Sequence, residues 1–159
     1  MRLAAQSTRR GLQPGAELPG LDAAGCVEVL IEVPRFSFVK RDHLGRVQLV
    51  SPLPCPFNYG SLPGTRASDG DPIDALVLGP RRARGELVRL PARGVVRFMD
   101  AGAADPKWIC SAAELTAADL REVQRFFSIY VVAKRVLNGL LRRPAPTRFE
   151  RIDLVDQPA

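Results

Sequence analysis

The sequence predicts an α+β protein: a small β-barrel with one long helix packed outside it. Three observations carry this. Short apolar runs cut by turn residues fill the chain up to residue 110, and one long stretch with helical spacing follows. The length, 159 residues, suits a single domain. The 13 Gly and 14 Pro make the chain rich in turns but well below the ~25–30% typical of a disordered composition.

Residues 1–25 are rich in Ala, Gly, Pro and Arg without periodicity and read as a loosely ordered leader, with a single domain expected over 26–159. In Cys26–Pro34, Val27, Val29, Ile31 and Val33 alternate with Glu28, Leu30 and Glu32, a strand pattern stopped by proline. Val47–Val50 is a short strand candidate. The loop SPLPCPFNYGSLPGT follows, and its four prolines predict irregular chain. An acidic turn, Asp69-Gly-Asp-Pro-Ile-Asp74, feeds the apolar strand Ala75–Leu78. A basic hairpin is expected at 81–85 (RRARG), then strands at Glu86–Leu90, Gly94–Phe98 and around Trp108–Cys110. Ser111 and Thr116 are both candidate N-caps, each with an acid three residues on. From Thr116, Leu120, Val123, Phe127, Tyr130 and Leu137 keep helical spacing over about twenty residues. One last strand-like run closes the chain.

Composition excludes several classes. The longest apolar runs, Ala75–Leu78 and Ile129–Ala133, are far short of the ~18 residues that span a bilayer. No secretory signal is visible, so a cytoplasmic protein is expected. Three scattered cysteines and one histidine lack the spacing of a zinc site and read as reduced thiols. No GxxxxGK[ST], GxGxxG or GxSxG occurs. The net charge of +6 is spread evenly and is weak evidence for nucleic acid. The basic residues are informative in another way. Twenty are Arg and only Lys40, Lys107 and Lys134 are Lys, which suggests positions that need a compact ammonium.

The chemistry concentrates in Asp69, Asp71 and Asp74, three carboxylates within six residues. An exposed acidic turn can simply be solvated. This one runs into an apolar strand, where an unpaired carboxylate is costly, so a cation is expected among them. Oxygen-only ligands suit Mg²⁺. Asp100 and Asp105 follow a second strand, and two acid clusters at one barrel rim could hold two metals about an in-line displacement at phosphorus.

These residues resemble the soluble family I inorganic pyrophosphatases. Asp69–Asp74 looks like the family signature, and the surroundings keep its order. They are Ile31-Glu-Val-Pro34 with Lys40, Pro56-Phe-Asn-Tyr-Gly60, Gly94-Val-Val with Met99-Asp100, Asp105-x-Lys107, and Phe126-Phe-x-x-Tyr130. The resemblance covers roughly residues 28–131. It implies a five-stranded OB-like barrel and Mg²⁺-dependent hydrolysis of pyrophosphate to two phosphates. It further implies that Asp69, Asp74, Asp100 and Asp105 bind metal, with Glu32 and Asp42 as outer metal or water ligands. Asp71 is implied as the general base that deprotonates a metal-activated water. Lys40, Tyr59, Lys107 and Tyr130 are implied as phosphate ligands. The bacterial members imply a homo-oligomer, a hexamer.

Four positions depart from the family pattern. An expected Arg falls on Val47, a Tyr on Cys55, a Glu on Ala101 and a Lys on Val131. Losing two cationic phosphate contacts is worth roughly 3–6 kcal/mol, so reduced efficiency is expected, and Val131→Lys is expected to restore activity. A second reading is therefore an inactive relative that serves as a Mg²⁺/phosphate-binding or assembly subunit. A third, a nucleic-acid-binding barrel, rests on the charge and the Arg81–Arg84 segment and ranks lowest.

Overall fold

The alternation of Val27, Val29, Ile31 and Val33 produces β1 (Cys26–Val33), whose apolar face is buried while Glu28 stays exposed. This and all that follows refers to residues 21–41, 44–50, 53–68, 70–143 and 146–156, which the structure, a computed structural model, describes. Just ahead of β1, Leu21 packs against the core and Asp22 pairs with Arg89. Residues 1–20 of the expected leader lie outside the described residues.

The other strands are β2 (Val39–Arg41), β3 (Val47–Val50), β4 (Asn58–Ser61), β5 (Asp74–Val77), β6 (Leu87–Asp100), β7 (Ala103–Ala104), β8 (Lys107–Cys110) and β9 (Arg148–Leu154). Five of them close a ring. β1 pairs β4, β4 pairs β5, β5 pairs β8, β8 pairs β6, and β6 returns to β1. Only β5 and β8 run parallel. The ring is the five-stranded OB-like barrel expected, and such closure removes exposed strand edges. β9 and β7 pair with β6 outside it, and β2–β3 form a separate hairpin.

Strand alternation builds two cores from one sheet. Val27, Val29, Ile31, Ala75, Val77, Val88, Leu90, Val95 and Trp108 pack together within the ring. Their alternates Leu76, Val96, Phe98 and Ile109 face outward, where Val123, Phe127 and Val131 cover them. Those last three belong to α1 (Ala117–Leu140), which begins at an N-cap Thr116 with a reciprocal capping box to Asp119. No helix of the described residues is long and apolar enough to cross a membrane.

Four local expectations are corrected. The proline-rich loop contains β4, because Asn58–Ser61 falls between Pro56 and Pro63 and pairs on both sides. The two strands expected at Glu86–Leu90 and Gly94–Phe98 are one strand, β6. Pro91 lies within it opposite Cys26, and an irregularity between Ala92 and Gly94 shifts its register with β8. Residues 81–85 are not a hairpin, since β8 lies between β5 and β6. Their arginines are held locally. Arg81 donates to the Arg35 carbonyl, Arg82 pairs with Glu86, and Arg84 donates to the Glu32 and Val39 carbonyls. Finally, Ser111 caps no helix; its N–H donates to the Pro91 carbonyl.

Candidate active site

The parallel register of β5 and β8 sets Asp74 directly opposite Lys107. Asp105, two residues before Lys107, has the same strand-wise spacing and reaches the same ammonium. Lys107 Nζ donates to Asp74 Oδ2 at 2.8 Å and to Asp105 Oδ2 at 2.9 Å. Tyr59, on β4, hydrogen-bonds Asp74, and its ring lies 5.8 Å from the Lys107 Nζ. Tyr130 comes from α1, stacked on Phe126 and tilted against Phe98.

These five side chains line one cleft of about 210 Å³ together with Val33, Phe38, Cys55 and Lys134. Lys107 is only 2% exposed. Burial disfavours its ammonium, yet Asp74 and Asp105 outweigh that and hold the amine above its ordinary range, so it is charged. Burial and the adjacent Asp74 charge push the Tyr59 phenol well up, and burial pushes up Tyr130 against the pull of Lys134 and Lys107. Both phenols are therefore neutral donors at pH 7.

The other expected site residues are placed differently. Glu32 stands on β1 with Ser61 Oγ donating to its Oε1 at 2.8 Å, and it is not part of the cleft lining. Asp71 is exposed in the turn before β5. Asp100 ends β6 outside the cleft lining. Its Oδ2 accepts from Lys134 at 2.8 Å, and its Oδ1 from Asn138 at 2.9 Å and Thr147 at 3.2 Å. Burial opposes the Asp100 charge, but these three donors overcome it and hold the carboxyl below its usual range. Asp42, Asp69 and the Lys40 side chain lie outside the described residues.

Lys134 is the cleft residue that the sequence reading did not assign. Two signals pointed to it. It is the third of three lysines among twenty arginines, and it stands one helical turn after Tyr130.

The donor set fits a divalent metal ion. Asp74 and Asp105 already converge on one cation, the Lys107 ammonium, and they supply only hard carboxylate oxygens. These two would hold the ion. Among the described residues no group of three or more His, Cys, Asp or Glu could do so.

A closed OB-like ring that aims carboxylates, a buried ammonium and two phenols into one cleft defines a barrel with a polar, metal-competent site. The family model for inorganic pyrophosphatase matches residues 29–138. An inorganic pyrophosphatase of Gluconobacter oxydans is 32% identical over 133 residues, covering 79% of this chain and 77% of that protein. One from Synechocystis is 30% identical, covering 79% and 86%. Among solved structures, an inorganic pyrophosphatase from Neisseria gonorrhoeae superposes with a TM-score of 0.65 at 26% identity, covering 82% of this chain and 83% of that one. The chain belongs to the inorganic pyrophosphatase family, which implies a divalent metal cofactor.

Proposed function

We propose that the protein hydrolyses inorganic pyrophosphate to two phosphates with Mg²⁺ as its divalent cation. The observation that carries this reading is the meeting of Asp74, Asp105, Lys107, Tyr59 and Tyr130 in one cleft. Bound Mg²⁺ would make an attacking water more acidic and offset the charge of the phosphates. Asp74 and Asp105, with Asp69 by resemblance, would hold the ion, and Glu32 and Asp42 would support it from outside, again by resemblance. Asp71 takes the proton from the attacking water. Lys107, Tyr59 and Tyr130 donate to phosphate oxygens, and Lys40 joins them by resemblance. Asp100 joins the metal ligands by resemblance, and its carboxylate also accepts from Lys134, Asn138 and Thr147. The three free cysteines suit the reducing cytoplasm. The exposed apolar residues of α1 support assembly of identical copies.

The test is phosphate release from pyrophosphate with Mg²⁺ and with a chelator added. Mg²⁺-dependent release is expected, and Asp71→Asn should lower it by roughly 10²–10⁴-fold. Absence of release from the unaltered protein in Mg²⁺ overturns the reading.

A further inference from the structure

Counting charges in the cleft leaves one ammonium to be explained. Lys107 is almost wholly buried and already bridges two carboxylates, so its charge is offset before any phosphate arrives. Lys134 also lines the cleft, with its side chain 21% exposed. Its Nζ donates to Asp100 Oδ2, and an ammonium carries three donors, so it keeps capacity for an anion.

The helix explains why the cation sits here and not at 131. Val131 is 7% exposed and belongs to the apolar layer with Leu76, Val96 and Phe98, so that position faces the barrel wall. Residue 134 is four after Tyr130, which puts both side chains on one helical face, and the Lys134 Nζ lies 5.9 Å from the Tyr130 ring.

Asp100 is built to hold this lysine. Asn138 and Thr147, 4% and 3% exposed, both donate to its Oδ1. Thr147 Oγ1 in turn accepts from Asn138 Nδ2 at 2.9 Å and from the Ala101 N–H at 3.0 Å. Arg135 Nε donates to the Thr147 carbonyl, tying the segment before β9 to the helix. The Asn138 Oδ1 is buried without a partner, while the donors to Asp100 Oδ1 fix the carboxylate so that its Oδ2 meets Lys134.

We propose that Lys134 is the phosphate-contacting cation on the helix wall of the cleft, and that Asp100 is its positioning residue. The proposal rests on the pyrophosphatase reading for its ligand class, a phosphate anion. In this arrangement Lys134 supplies from position 134 the charge absent at 131, and the cradle is less depleted than the sequence implies.

The probe is inorganic phosphate, titrated calorimetrically into the full chain in the presence of Mg²⁺, which needs no turnover. Lys134→Met should weaken phosphate binding about tenfold or more, and Lys134→Arg should keep most of it. For phosphate titrated without Mg²⁺, Asp100→Asn should weaken binding less than Lys134→Met and add nothing further in the double variant. In turnover, Lys134→Met should raise KM more than it lowers kcat. If Lys134→Met does not fold, Lys134→Gln serves in its place. Unchanged phosphate affinity on removing the Lys134 charge overturns the proposal. So do additive losses in the double variant titrated without Mg²⁺. Failure of the unaltered protein to release phosphate from pyrophosphate would reject the activity alone, since the titration still decides the role of Lys134.

Discussion

Asn58 is fully buried and uses all of its hydrogen-bonding capacity on backbone. Its Nδ2 donates to the Val77 and Pro80 carbonyls at 3.2 and 2.9 Å, and its Oδ1 accepts from the Arg35 and Arg82 N–H groups at 3.0 and 2.8 Å. One side chain thus ties the exit of β1 to the exit of β5, beside the strand that carries Tyr59. Asn58→Ala leaves these groups without their partner, and each buried unsatisfied group costs about 1–3 kcal/mol. A loss of about 3 kcal/mol or more is expected in a denaturant titration. Retention of the unaltered midpoint would show that the groups find other partners. Position 131 gives a second residue-scale result. The expectation that Val131→Lys restores activity fails on burial, because the lysine would enter the layer between helix and barrel. Such overpacking, with a charge besides, should lower stability by about 2 kcal/mol or more. No gain in kcat/KM is expected, and a tenfold gain would show that the new amine escapes to the cleft.

At the scale of elements, a strand could be read from the sequence where its burial pattern was local. β1 shows strict alternation, β5 and β8 are short apolar runs, and α1 has both a capping box and a periodic apolar face. β4 is hard to see in the sequence because Pro56 and Pro63 break regular structure, although both flank the pairing residues. What makes β4 a strand is contact with β1, and Gly60 makes that contact possible. A Cβ at Gly60 would stand 2.0 Å from the Leu30 carbonyl oxygen. Backbone cannot yield as a flexible side chain can, so the β1–β4 seam would have to part. Gly60→Ala should therefore destabilise the protein by about 3 kcal/mol or more, even though alanine is the smallest change available. Thermal unfolding checks it. A shift within a degree of the unaltered protein would mean that the seam opens elsewhere at little cost.

Across the whole molecule, the candidate site was legible where its residues lie in one short motif or at a fixed strand offset, as Asp74, Asp105 and Lys107 do. Lys134 and its Asp100 clamp were not, because their meeting depends on the angle at which α1 crosses the barrel and on β9 bringing Thr147 back beside both. The same helix carries the last large-scale feature. Its inner face packs Val123, Phe127 and Val131, and on the far side Ile129, Val132, Val136 and Leu140 are exposed, the last at 77%. Their three- and four-residue spacing makes one outward stripe, and an amphipathic surface helix would carry polar residues there. Apolar side chains in such a row favour burial at roughly 25 cal/mol per Å², and a second copy presenting the same stripe would cover it symmetrically. The stripe lies opposite the face that packs on the barrel. Light scattering of the unaltered protein should then give a mass above the 17.4 kDa of one chain. Val132→Glu combined with Val136→Lys should reduce that mass while leaving secondary structure intact by circular dichroism. A monomeric unaltered protein, or an assembly indifferent to both charges, would assign the stripe no part in self-association.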